Sequence, residues 1–181
     1  MNITVYLGSS FGNKDYFKEE IQRLGSWIGS HNHRLIYGGS KAGLMGLLAQ
    51  SALESGAEVI GIEPQMFIDS ELQYDGITEL IITKDMPERK SKMIELGDVF
   101  ITFPGGTGTL EEVSEVMSMT SLNLLDAPCI FYNLHGFYNP IKDMMDKMFD
   151  TGLCTAQRCE KIFFANTLEE IENIINTYYG R

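Results

Sequence analysis

Glu111 and Glu112 follow three closely spaced glycines in Phe103-Pro104-Gly105-Gly106-Thr107-Gly108-Thr109-Leu110-Glu111-Glu112, the stretch of this chain whose residue types are best suited to chemistry. The glycines allow a tight turn and a close approach of backbone to a ligand. The run before them, Asp98-Val99-Phe100-Ile101-Thr102, is rich in β-branched and aromatic side chains with little alternation, and reads as a buried strand ending at Pro104. A helix beginning just after the glycines would aim its unpaired N–H groups and positive dipole end into the turn. That makes an anion site, best suited to phosphate. A Gly-x-x-x-x-Gly-Lys-Ser/Thr loop would need lysine where Thr109 stands, and Gly-x-Gly-x-x-Gly cannot be drawn through Gly105, Gly106 and Gly108, so an NTPase or dinucleotide enzyme is disfavoured. Glu111 and Glu112 either satisfy the helix dipole or offer carboxylates to sugar hydroxyls and an electron-poor anomeric carbon beside the phosphate.

The elements that must position this stretch alternate along the chain. Asn2 to Leu7 is a first strand, and Gly8-Ser9-Ser10-Phe11-Gly12 turns into a helix from about Lys14 to Ser30, with Phe17, Ile21, Leu24 and Ile28 at helical spacing. Arg34 to Tyr37 is a second strand, followed by a glycine-rich turn from Gly38 to Gly46 and a helix to about Ser55. Ala57 to Ile62 is a third, and Pro64 to Gly76 a long loop of the kind often used as a lid or binding loop. Glu79 to Thr83 precedes a helix containing Met86-Pro87-Glu88-Arg89-Lys90, and Pro128 to Asn133 follows the central strand and its helix. An amphipathic helix from about Tyr138 to Phe149 carries Ile141, Met144, Met145 and Met148 as a core-facing stripe; Lys161 to Ala165 and Leu168 to Tyr178 complete the pattern as strand and helix. The expected fold is α/β: a Rossmann-like open parallel sheet with helices on both faces, formed by residues 1–181 as one domain. Right-handed crossovers then bring the Gly8, Gly38 and Gly105 loops to one sheet edge, where ligands bind.

At 181 residues the chain is long enough for one domain that buries about 70% of its unfolded surface. A net charge of −11 and a pI near 4.6 argue against nucleic acid or an anionic membrane as partner, since both call for a basic face. Phosphate recognition must therefore be local. The opening Met1 to Leu7 has no basic segment followed by an apolar run, and no stretch approaches about 18 apolar residues, so a cytoplasmic location is expected. Cys129, Cys154 and Cys159 are odd in number with no Cys-x-x-Cys spacing and are expected to be reduced and structural. His31, His33 and His135 lack ligand spacing, the first two being expected in solvent beside a turn; no metal site and no cofactor are expected.

Three segments together resemble the LONELY GUY (LOG) family, long mislabelled as lysine decarboxylases: Tyr37-Gly38-Gly39-Ser40-Lys41-Ala42-Gly43-Leu44-Met45-Gly46, Met86-Pro87-Glu88-Arg89-Lys90, and Pro104 through Glu112. The last two carry the family's Arg-Lys and Pro-Gly-Gly-x-Gly-Thr-x-x-Glu signatures, and the similarity runs from the Gly8-Ser9-Ser10 loop to Gly136-Phe137-Tyr138. The resemblance implies a Rossmann-like homodimer that hydrolyses the N-glycosidic bond of nucleoside 5′-monophosphates, AMP or cytokinin riboside monophosphates, to free base and ribose 5-phosphate. Carried over residue by residue, it makes Arg89 and Glu112 the catalytic pair. It places Glu71, Arg89, Lys90, Gly105, Gly106, Thr107, Gly108, Thr109, Leu110 and Glu111 at substrate-contact positions, with Ser9 and Gly39 in the adjoining loops. The chain departs from the family where many members have Trp-Thr-Trp-x-Gln-Leu; here Met117-Ser118-Met119-Thr120-Ser121-Leu122 stands near the family's base end and dimer contact.

Breaking a ribosyl C–N bond builds positive charge on the sugar, which a carboxylate such as Glu112 would stabilise. Arg89 stays protonated at neutral pH, so its expected work is positioning: holding phosphate, the carboxylate or the leaving base. An exposed Arg–Glu pair of little energetic weight is the bland alternative, and Lys90 is equally readable as a solvated helix charge. A noncatalytic nucleotide or cofactor carrier is the competing function, since related folds use a similar loop only to bind; a carrier has no need of both Arg89 and Glu112. A pyridoxal-phosphate decarboxylase would need a Schiff-base lysine in the pocket, and nothing in the sequence marks one.

Overall fold

Ile3 and Val5 of the first strand, β1 (Asn2–Tyr6), pack into one hydrophobic cluster while Tyr6 packs into another. Alternate side chains of a strand face opposite ways, so a strand that buries both sets needs cover on both faces. The same division runs through the neighbouring strands. In β2 (Arg34–Tyr37), Leu35 and Tyr37 join the first cluster and Ile36 the second. Beyond it lie β3 (Val59–Pro64) and β4 (Glu79–Thr83). In β5 (Val99–Thr102), Val99 and Ile101 face one way and Phe100 the other, followed by β6 (Cys129–Tyr132) and β7 (Ile162–Ala165).

The computed structural model describes residues 1–68 and 73–180. Its seven strands form one parallel sheet in the order β4-β3-β2-β1-β5-β6-β7. Helices α1 (Tyr16–Ser30) and α2 (Gly43–Glu54) follow β1 and β2, and the short α3 (Gln65–Ile68) follows β3. Then come α4 (Met86–Leu96), α5 (Thr107–Ser121), α6 (Asn139–Asp150) and α7 (Leu168–Tyr178). Ile21, Leu24 and Ile28 of α1, Leu48 and Ala52 of α2, and Ile171 and Ile175 of α7 fill the first cluster; Met93 and Ile94 of α4 and Val113 and Val116 of α5 fill the second. The expected Rossmann-like α/β architecture with helices on both faces is present.

Strand order reverses at β1, which pairs with β2 on one side and β5 on the other. The register sets Tyr6 beside Thr102, so the loops leaving β1 and β5 emerge together, and Phe103 N–H donates to the Tyr6 carbonyl at 2.9 Å. Such a reversal opens a crevice at the strands' C-terminal ends, the usual ligand position in open α/β sheets.

The third strand begins at Val59 and extends through Pro64 rather than ending at Ile62, because its register with β4 pairs Glu63 with Ile82 and Pro64 with Thr83. The segment from Pro64 to Gly76 is therefore not all loop: it opens with the strand's last residue and α3, and Gln73 bridges to Ser40. In α6, Met145 is buried but Met144 is 53% exposed, so the apolar stripe is not wholly core. His33 is half-buried against the Trp27 ring, 5.2 Å between centroids, rather than solvated. All three thiols are free; Cys129 lies within the sheet, and the sulfurs of Cys154 and Cys159 stand 3.4 Å apart. Among the described residues no helix is long and apolar enough to cross a membrane.

Candidate active site

Arg89 is positioned by a well-defined helix start. Asp85 caps α4, its carboxylate accepting from Glu88 N–H at 2.9 Å, Pro87 occupies the first turn, and Glu88 Oε2 reaches back to Lys84 N–H at 2.8 Å. Asp-x-x-Glu is a capping-box pattern, visible in the sequence as Asp85-Met86-Pro87-Glu88 once a helix start is sought there. One turn later Arg89 points under the sheet edge and is 4% exposed. Its Nε donates to the Ile62 carbonyl at 3.0 Å, tying the guanidinium to β3. Gly38 makes room for it, since a β-carbon there would collide with Arg89 Nη2.

Glu112 comes from the opposite direction. The helix α5 leaves β5 through Pro104-Gly105-Gly106, and Glu112 occupies its second turn, 7% exposed. Arg89 Nη1 donates to Glu112 Oε1 at 2.5 Å, a charge-assisted bond between two buried side chains. Burial pushes the Glu112 carboxyl above its ordinary value, against the opposing pull of Arg89. The bland alternative of an exposed pair is thereby excluded by geometry. Glu111, one residue earlier, turns outward and pairs with Lys90, which also reaches Glu115 at 2.9 Å. The bonds to Glu111 and then Glu115 raise the Lys90 ammonium above its usual range.

The glycine turn is held from both sides. A β-carbon on Gly105 would strike the Thr109 side chain and come within 2.9 Å of Gly8 N, so the β1 and β5 loops meet at backbone distance only because this residue has no side chain. Tyr138 donates its hydroxyl to the Phe103 carbonyl at 2.8 Å, pinning the end of β5 from the other side. Gly106 is the N-cap of α5, and no side chain caps that helix, so its first N–H groups keep no side-chain partner.

These parts surround a cavity of about 460 Å³ at the C-terminal edge of the sheet, a size typical of small-molecule sites. Of the residues singled out in the sequence, Ser9, Arg89, Gly106, Thr107, Gly108, Thr109, Glu111 and Glu112 line it. Gly105 lines an adjoining hollow with Gly8 and Pro104. Gly39, Lys90 and Leu110 are not on the cavity wall: Gly39 packs against Glu63, Lys90 is held by two glutamates, and Leu110 is 45% exposed. Glu71 lies outside the described residues. Sequence reasoning missed Glu63, Met45, Phe67 and Met86, all on the wall. A comparable hollow lined by Met1, Asn2, Asn32, His33, Arg34, Gly56 and Glu58 lies where the strands begin, away from the βα loops, and its Arg34–Glu58 pair is solvent-accessible.

A family profile described as "possible lysine decarboxylase" matches residues 45–175. The cytokinin riboside 5′-monophosphate phosphoribohydrolase LOG1 of Arabidopsis thaliana is 35% identical over 179 residues, covering 99% of this chain and 84% of the plant protein. The protein of the same activity name from Rhodococcoides fascians is 36% identical over 169 residues, covering 93% and 85%. The chain belongs to the LONELY GUY family. The fold is also similar to that of the molybdenum cofactor carrier protein of Chlamydomonas reinhardtii, which superimposes with a TM-score of 0.71 at 17% identity, covering 99% of each chain. The molybdenum cofactor binding protein of Rippkaea orientalis gives 0.70 at 20% identity, covering 98% and 96%. At these identities the likeness to this LONELY GUY protein is one of fold.

Proposed function

We propose that the protein is a phosphoribohydrolase that cleaves the N-glycosidic bond of nucleoside 5′-monophosphates, AMP or cytokinin riboside monophosphates, to free base and ribose 5-phosphate. The observation that carries this reading is the buried Arg89–Glu112 pair at 2.5 Å on the wall of a cavity that also contains the uncapped start of α5. The phosphate would lie against the N–H groups at Gly106 to Thr109, where helix dipole and open backbone favour an anion in an otherwise acidic protein. The ribose would extend from there toward Glu112. As the C–N bond lengthens, the sugar gains positive charge and the fixed carboxylate stabilises it. Arg89 uses Nε on Ile62 and Nη1 on Glu112, so its work is to hold that carboxylate in one orientation in a dry site. Water adds to the anomeric carbon as the base departs with the bonding electron pair, and the proton the water gives up balances the one the departing base nitrogen takes on to become free base. We further propose a homodimer in which the end of α5 takes part: Leu122 is 57% and Leu124 68% exposed, with Met117 and Met119 only partly covered.

The test is incubation of the pure protein with nucleoside 5′-monophosphates and with the corresponding nucleosides, reading free base. Base released from AMP far faster than from adenosine is expected; equal rates would remove the phosphate anchor from the reading. Carrier function is the second reading, favoured by the fold likeness to molybdenum cofactor carrier proteins. Tight nucleotide binding with no base released from any monophosphate would favour it.

A further inference from the structure

Glu63 is a carboxylic acid inside a strand, 1% exposed, and the mechanism above does not use it. Its Oε2 has no hydrogen-bond partner among the described residues, yet the side chain lines the same cavity as Arg89 and Glu112. An unpartnered buried carboxyl is costly and marks a position where a ligand can complete the bonding. Which part of a nucleotide it meets follows from the sheet. Glu63 is on β3 and the anion cradle follows β5, three strand spacings away in the order β3-β2-β1-β5, or roughly 14 Å. A second acid is a poor neighbour for phosphate, and the wall beside Glu63 carries Met45, Phe67 and Met86, apolar side chains suited to a base.

Resting on the phosphoribohydrolase reading, we propose that Glu63 is the base-reading residue of the site, selecting 6-aminopurine over 6-oxopurine nucleotides. Burial pushes its carboxyl up to about 7, with Arg89 opposing, so the protonated form is well populated at and below neutral pH. The groups that face it are the Arg89 guanidinium from α4 and the Tyr37 phenol from β2, with Glu112 on the wall of the same pocket. A protonated carboxyl presents one acceptor and one donor side by side. Along its N6/N7 edge adenine matches this with an N6–H donor beside the N7 acceptor, whereas a 6-oxopurine presents two acceptors there, O6 and N7, and leaves the Glu63 carbonyl facing a lone pair; the contact is assigned to this edge because along the N1 edge the O6 and N1–H of a 6-oxopurine would pair with a protonated carboxyl equally well. An N6-substituted adenine retains one N6–H and remains acceptable.

The experiment compares rates on AMP and IMP at pH 6 and pH 8 for the wild type, Glu63→Gln and Glu63→Leu, each first checked for a cooperative thermal transition. The ratio of the two rates is read because ionisation of the shared phosphate cancels from it. Wild type should prefer AMP by at least about tenfold at pH 6, the scale of one well-formed bidentate base contact, with a smaller preference at pH 8. Glu63→Gln, whose carboxamide also presents an acceptor beside a donor, should keep the preference and lose its pH dependence. Glu63→Leu should bring the two substrates within about threefold. An unchanged AMP-to-IMP ratio in Glu63→Leu, or the same pH dependence in Glu63→Gln as in wild type, overturns the assignment. If wild type releases base from neither nucleotide, the phosphoribohydrolase reading fails by itself. Calorimetric titration with AMP and IMP then decides on Glu63: a wild-type preference lost in Glu63→Leu supports it, and equal affinities overturn it.

Discussion

Arg89 and Glu112 are 23 residues apart in sequence, on helices that follow different strands, and their side chains meet at 2.5 Å with both nearly sealed from solvent. A buried ion pair is expensive to assemble and adds little net stability over an apolar pair of the same shape. Its presence in a cavity wall fits a carboxylate whose position matters more than its contribution to folding.

On the proposed mechanism the Glu112 charge acts on a cation that exists only in the transition state, so Glu112→Gln should lower kcat by about a hundredfold or more while changing nucleotide affinity little. Glu111→Gln is the matched control. Its side chain is more than half exposed and paired with Lys90, so a change below about threefold is expected. Steady-state kinetics beside calorimetric binding would separate the two, and full activity in Glu112→Gln would refute the role.

Removal of the guanidinium by Arg89→Met leaves a carboxylate buried without its partner, and a loss of about 3–5 kcal/mol in unfolding free energy is expected near neutral pH. The sign with pH follows from Glu112. Without Arg89 its folded value rises further above the unfolded one, so the native state keeps its proton while the unfolded state ionises. The deficit should shrink as pH falls toward the unfolded value of about 4.3, a trend that urea titrations at pH 5 and pH 7.5 would reveal.

Glu63 predicts its own stability signature. Its carboxyl is raised from 4.5 to about 7, so the contribution is fully favourable below the unfolded value and is lost as pH rises through the folded one. Above about pH 7 the penalty is on the order of 3 kcal/mol. Glu63→Gln should therefore melt several degrees above wild type at pH 8 and close to it at pH 4.5. Equal differences at the two pH values would contradict the burial assigned to this group.

The alternation of strand and helix was legible because nearly every strand is a short apolar run bounded by glycine or a polar turn. Glu63 was not, and the reason is physical. Glutamate followed by proline ends a strand in most contexts, whereas here pairing with β4 carries the sheet through Pro64 and draws the carboxyl indoors. Met144 misled in the opposite direction: helical spacing fixes which residues share a face and says nothing of whether that face is covered. Motif likeness brought Arg89 and Glu112 together, but their burial, the outward turn of Glu111 and the Lys90–Glu115 contact depend on how α4 and α5 lie against the sheet.

The exposed leucines beyond α5 predict self-association. Light scattering at micromolar concentration should give twice the chain mass, and Leu122→Glu with Leu124→Glu should shift it to one chain while leaving the fold cooperative. A monomer in the unaltered protein would remove α5 from any proposed interface.

The glycines of the Pro104 loop should fail in two distinguishable ways. Gly105 is packed between Thr109 and the Gly8 backbone, so Gly105→Ala forces the two loops apart and should cost about 1–3 kcal/mol of stability. Gly108 is different: a β-carbon there meets nothing within 4 Å, and it sits in the first turn of α5 on the cavity wall. Gly108→Ala should hold or slightly raise stability, since alanine favours a helix by up to about 1 kcal/mol over glycine. Yet its methyl would stand in the space assigned to the phosphate. KM for AMP should rise at least about tenfold in Gly108→Ala, with the slow turnover of adenosine, which puts nothing in that space, unchanged. Thermal melts and kinetics on both substrates check the two halves together. If Gly108→Ala binds AMP as well as wild type does, the anion does not rest on the start of α5, and the orientation of the nucleotide across the sheet edge would have to be reversed.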